Sequence, residues 1–209
     1  MTAYWAQAFK EVEGVIRKPE MIKVFDDFGN KFGTIPNAAK AYVTAEQFGN
    51  GLMNKTVLTC TALPISFADD ADVAQYGGKQ VYDFPEGLLM TFGAVIRGAL
   101  TLATPFINTF TGVTALGTAT AGTGSTLTST EADILQSTAL TTAVSKVATA
   151  NAISIATALT ESGARHFDGT STPKDMFLNY AIADDAAHTA GTGTFTGTIS
   201  FAWMILGDK

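Results

Sequence analysis

From about residue 54 onward, apolar and polar residues alternate along the chain with a period of two. The clearest case is 195–206. Phe195, Gly197, Ile199, Phe201, Trp203 and Ile205 fall on one side, with Thr194, Thr196, Thr198 and Ser200 on the other. Successive side chains of a strand point to opposite faces, so this pattern predicts a half-buried strand. The same reasoning predicts strands over 57–67, 88–104, 106–120, 153–159 and 176–183. Gly77-Gly78, between 73–76 and 80–84, reads as a hairpin turn. Asp69, Asp70 and Asp72 mark a turn, and Pro85-Glu86-Gly87 marks a loop. Gly93 and Gly98 read as bends in the long 88–104 strand. Thr130-Glu131-Ala132-Asp133 reads as a capping box opening a short helix through Ile134-Leu135.

Residues 1–52 read differently. Aromatic residues (Tyr4, Trp5, Phe9, Phe25, Phe28, Phe32, Tyr42, Phe48) are spaced through polar sequence. Short helices are predicted at 2–13, 19–28 and 36–48, the last two opened by Pro19 and Pro36 where a first helical turn accepts proline. Helices this short are not stable alone in water. The region therefore reads as an N-terminal arm that needs a surface to lie on, either its own domain or a neighbouring subunit. Residues 53–209 form the second unit. Several strands joined by short turns, without long alternating helices, predict an all-β fold: an antiparallel, jelly-roll-like β-sandwich preceded by the arm. Its long uncharged strands predict closure or subunit pairing, because exposed edges invite association.

Composition sharpens this picture. The chain has 209 residues, 46% of them hydrophobic and only 15% charged, against a usual charged share of about 25%. Between Gly98 and Thr130 there is no charged residue, so that run is expected to be buried on both sides or to face a partner. A formal charge of −6 and scattered basic residues argue against nucleic acid, which needs clustered Lys and Arg. No apolar run reaches the ~20 residues of a membrane helix. The N-terminus lacks an export signal, so synthesis in the cytoplasm is expected.

Candidate chemistry is sparse. The single cysteine, Cys60, sits in a strand-like run and reads as a small buried hydrophobe. His166 and His188 have no second His or Cys at ligand spacing. Asp69, Asp70 and Asp72 lack the glycine and late glutamate of a calcium loop. There is no G-x-S-x-G elbow. Asp83 with Glu86, or Glu131 with Asp133, are formal carboxylate pairs, the second already explained by a cap. Gly122-Thr123-Gly124-Ser125 and Gly191-Thr192-Gly193 lack the lysine of a phosphate loop and read as turns. Asn54-Lys55-Thr56 fits a glycosylation sequon that has no meaning without export. No enzyme activity, metal or cofactor is expected.

The segment from about Asn54 to the C-terminus resembles small virion proteins of tailed bacteriophages, of the capsid decoration or cement type. The resemblance is carried by Asn54-Lys55-Thr56-Val57-Leu58, Tyr82-Asp83-Phe84-Pro85-Glu86-Gly87, Thr130-Glu131-Ala132-Asp133-Ile134 and Phe195-Thr196-Gly197-Thr198-Ile199-Ser200-Phe201-Ala202-Trp203. It implies a many-copy β-sandwich on the outside of the head shell, where major capsid subunits meet. The partner it implies is the major capsid protein. A homo-oligomer is expected, with a trimer favoured, and neither nucleic acid nor membrane as partner. Tyr4, Trp5, Phe9, Phe25, Phe28 and Phe32 are then the expected contact residues on the capsid or a neighbouring subunit. The alternative is a head-fibre, tail or adhesin module that recognises a host surface glycan.

Overall fold

Alternating sequence becomes a strand here because each strand buries one face. The structure, a computed structural model, describes residues 32–49, 53–69, 74–102, 112–122, 126–140, 147–154, 166–183 and 191–207. They contain β1 (Val43–Gly49), β2 (Asn54–Asp69), β3 (Ala74–Asp83), β4 (Gly87–Leu102), β5 (Gly112–Gly117), β6 (Leu135–Ala139), β7 (Val147–Ser154), β8 (His166–Gly169), β9 (Asp175–Ala183) and β10 (Gly191–Gly207). The fold is all-β, and every described strand pair is antiparallel. The strands form one sheet in the order β6-β5-β9-β3-β2-β10-β4-β7, with β1 also paired to β2 and β8 to β4.

The sheet curls around its own core. β2 pairs with β10 over Asn54–Phe67, then passes to β3 through Ala68 and Asp69. Inward residues of both halves meet: Leu58, Leu63 and Ile65 of β2; Leu89, Ile96 and Leu100 of β4; Met176, Leu178 and Tyr180 of β9; Phe195, Ile199, Phe201 and Trp203 of β10. Tyr82 and Phe84 place their rings edge-on against Phe201 and Trp203 at centroid distances of 5.1–6.4 Å, the geometry that aromatic quadrupoles favour. A second, small cluster of Ala115, Ala121, Leu127 and Ala181 lies apart from this core.

Several strand predictions hold, notably 195–206 within β10, 88–102 within β4 and 176–183 within β9. Others are corrected. Residues 36–48 do not form a helix. Pro36 O accepts the N–H groups of Ala39 and Lys40, Ala39 O accepts those of Tyr42 and Val43, and the chain then enters β1. Seven ladder positions against β2, from Val43 opposite Cys60 to Gly49 opposite Asn54, outweigh a marginal short helix. The helices predicted at 2–13 and 19–28 lie outside the described residues.

Gly77-Gly78 makes no hairpin, since β3 runs straight through both. A Cβ on Gly77 would sit 2.3 Å from Ser66 O, so glycine serves a close backbone approach at that point. Gly93 does mark an irregularity. It has φ +152, and the β4–β10 register slips beside it, between Ala202 and Trp203. No slip occurs at Gly98. The expected helix at 130–135 is a single 3-10 turn, Ser129–Glu131, capped from Thr128, and Leu135 already belongs to β6. Of the 106–120 strand, the described part is β5, and residues 118–122 leave it.

Candidate interaction surface

Residues 32–49 enter the body through a buried polar chain. Trp203 Nε1–H donates to Thr56 Oγ1 over 3.0 Å, and that hydroxyl reaches the Tyr82 hydroxyl at 3.5 Å. Tyr82 donates to Gln47 Oε1 over 2.5 Å and accepts the Gly33 N–H over 3.0 Å. Gln47 Nε2 donates to Gly33 O over 3.1 Å. Thr34 and Asp83 then exchange both backbone hydrogen bonds. Buried polar groups cost little only when each finds a partner, and this chain supplies partners on four separate elements. Burial raises the Tyr82 hydroxyl above its usual pKa, so it stays protonated and keeps donating.

This arrangement corrects one expected contact residue. Phe32 is 2% exposed and packs in the core of its own chain, so its ring is not available to a partner. The sequence signal was only "aromatic among polar residues", which does not distinguish a contact residue from a core residue. Residues 32–49, assigned to the arm by sequence, pack as part of the sheet. Tyr4, Trp5, Phe9, Phe25 and Phe28 lie outside the described residues.

A second polar cluster holds down residues 118–132. Asn179 on β9 accepts the Ala121 N–H through Oδ1 and donates through Nδ2 to Ala119 O and Glu131 O, all within 2.8–2.9 Å. Asp133 accepts the Thr118 N–H and hydroxyl, and Glu131 accepts the N–H groups of Gly122 and Thr128. Glu131 and Asp133 are thus both engaged in structural bonds. Burial still raises the Asp133 carboxyl above its ordinary value.

The remaining candidates separate in space. Asp83 lies directly opposite Asp175 across β3 and β9, while Glu86 is exposed beyond the strand end. Partial burial and the Asp175 carboxylate raise the Asp83 carboxyl. Gln80 and Thr34 donate hydrogen bonds to it. Cys60 is buried as expected, and burial pushes its thiol up to about 12. His166 is exposed on β8. His188, Asp70 and Asp72 lie outside the described residues. Among the described residues no group of three His, Cys, Asp or Glu side chains is placed to hold a metal ion. Asn54 of the sequon is 4% exposed.

The outward face of the sheet carries a different kind of feature. Phe48 on β1 lies opposite Lys55 on β2, which lies opposite Ala202 on β10. One step along, Met204 of β10 lies opposite Met90 of β4, which lies opposite His166 of β8. The register then slips between Ile205 and Gly207, leaving Leu206 bulged. Phe48, Met53 and Leu206 are 53%, 44% and 45% exposed, and Leu88, Met90 and Met204 are half-buried. Scattered exposed apolar residues are ordinary, but here the register places several of them on one outer face, with exposed Lys55 between Phe48 and the methionine row.

The features together define an all-β antiparallel protein whose curled sheet bears an apolar strip on its outer face. Comparison with protein-family models, characterised proteins and solved structures finds no match for the chain. Among the described residues no helix is long and apolar enough to cross a membrane.

Proposed function

We propose that this chain is a structural virion protein that binds the outside of a tailed-phage capsid and stabilises contacts between major capsid subunits. The observation that supports this reading is the apolar strip of Phe48, Met90, Met204 and Leu206 on a body tied together by buried hydrogen bonds. A cement protein works by surface area. Each buried apolar Å² contributes about 25 cal/mol, and many copies on one shell multiply a modest affinity. The arm aromatics Tyr4, Trp5, Phe9, Phe25 and Phe28 are the proposed anchors on the neighbouring subunit, with Phe32 withdrawn from that set. A jelly-roll-like sandwich, a homotrimer and a location on the capsid exterior belong to the same proposal. No enzymatic step is part of it.

The test is binding of the purified protein to capsid shells that lack it. The expected result is saturable binding at repeated positions and a higher shell-disruption temperature. Absence of binding, or binding with no gain in shell stability, removes the proposal. Binding instead to host surface glycans would transfer the chain to the fibre or adhesin class.

A further inference from the structure

We propose that two free copies of this chain pair face to face through the outer side of β1, β2, β10 and β4, about a two-fold axis running parallel to the strands between β2 and β10. This face is short of charge. Along all four strands the charged residues are Glu46 on β1, Lys55 and Asp69 on β2, and Arg97 on β4. Asp69 lies at the far end of β2, where that strand has left β10 for β3. Glu46, Lys55 and Arg97 are exposed. Glu46 and Arg97 stand on the two flanking strands, three strand spacings or about 14 Å apart, so they do not meet within one chain. A surface with few charges, and with opposite ones at its two sides, suits a second copy of itself.

Cross-strand register sets the match. Glu46, Val57, Ser200 and Val95 form one outward row across the four strands, and Phe48, Lys55, Ala202 and Gly93 form the next. Arg97 stands on β4 one outward step beyond Val95. The proposed axis lays β1 of each copy over β4 of the other, and β2 over β10. Phe48, 53% exposed, then lies over the partner's Gly93, which has no side chain to oppose the ring. Lys55 lies over the partner's Ala202. Glu46 lies over the partner's Val95, about 7 Å along the strand from its Arg97, a gap that these two long side chains span. Symmetry makes each match twice. The other in-plane two-fold, running across the strands, lays β1 on β1 and β4 on β4. It brings Glu46 toward Glu46 and Arg97 toward Arg97, and like charges count against it.

The pair is the form of the free protein and does not rest on the virion reading, whose trimer belongs to the shell. A pair in solution without shell binding removes only that reading. A monomer or a trimer in solution removes only this one.

The experiment is sedimentation equilibrium of the full chain over a range of concentrations. The expected result is a reversible monomer–dimer equilibrium. A monomer at every concentration, or a trimer, overturns the proposal and leaves the face to a different partner. Glu46→Arg and Arg97→Glu, measured singly, are each expected to weaken pairing roughly tenfold or more, because each sets like charges together twice. An equimolar mixture of the two variants is expected to recover the parent's pairing. In the mixed pair, position 46 of each chain meets an opposite charge at position 97 of the other. Recovery also reports that both variants are folded. Single variants that pair as tightly as the parent, or a mixture without recovery, overturn the proposal.

Discussion

Trp203 on the last strand and Thr56 on the second, 147 positions apart in sequence, are joined by a 3.0 Å hydrogen bond inside the core. That bond starts the polar chain through Tyr82 and Gln47 to Gly33. It ties residues 32–49 to the body in addition to β1 pairing, the Thr34–Asp83 backbone bridge and apolar contacts.

Tyr82→Phe keeps the ring contacts and removes the hydroxyl. It leaves the Gly33 N–H and Gln47 Oε1 without their partner in a buried place. The expected loss is about 1–3 kcal/mol of unfolding free energy, read from urea titration. The loss combined with Gln47→Leu should be smaller than the sum of the two single losses, since residues sharing one network couple. Additive losses would show that the chain of bonds does not act as a unit.

Gly77→Ala should destabilise the protein by about 1–3 kcal/mol, the usual cost of forcing extra volume into a packed site. The new methyl carbon would stand 2.3 Å from Ser66 O, a backbone atom that cannot swing aside. Gly122→Ala is the control, because its nearest atom is the Glu131 carboxylate at 3.6 Å. A shift within about 0.5 kcal/mol is expected there. Equal midpoints for the two variants in thermal unfolding would contradict the close approach.

Lowering the pH from neutrality toward the ordinary carboxylate value of about 3.9 should stabilise the fold through Asp133 and Asp83, whose carboxyls are raised in the native chain. A group with a higher pKa when folded binds its proton more tightly in the native state. Its stabilising contribution therefore appears as pH falls through the folded pKa and is complete below the unfolded value near 3.9. Asp168, held low by Thr170, acts in the opposite direction from an exposed position. Asp83→Asn removes one raised carboxyl and its repulsion from Asp175, so it should flatten the rise in urea midpoint over this range. A variant with the parent's slope would count against Asp83 as a source.

Cys60 should react with a thiol reagent orders of magnitude more slowly in the native protein at pH 8 than in urea. The thiol is buried and its pKa is pushed up to about 12, so almost no thiolate is present. Fast native labelling would mean that β2 opens readily from its partners.

Much of the strand pattern was legible in the sequence because it is a local property. In β10 the period-two alternation placed Phe195, Ile199, Phe201 and Trp203 on one face, and all four are in the core. The same logic failed for residues 36–48, where a weak helical pattern lost to pairing with β2, and for Gly77-Gly78, where a turn-like dipeptide sits within a continuous strand. Both outcomes depend on a partner strand that is remote in sequence.

The sequence by itself determined that the described residues are mainly β, that Cys60 is a core residue, and which face of the closing strand points inward, since these follow from spacing and side-chain type. Only the tertiary structure decided that Phe32 belongs to the core, that Asp83 faces Asp175 rather than Glu86, and that Phe48, Met90, Met204 and Leu206 share one outer strip. The last two are created by cross-strand register, which brings together residues remote in sequence, and local sequence carries no record of that distance.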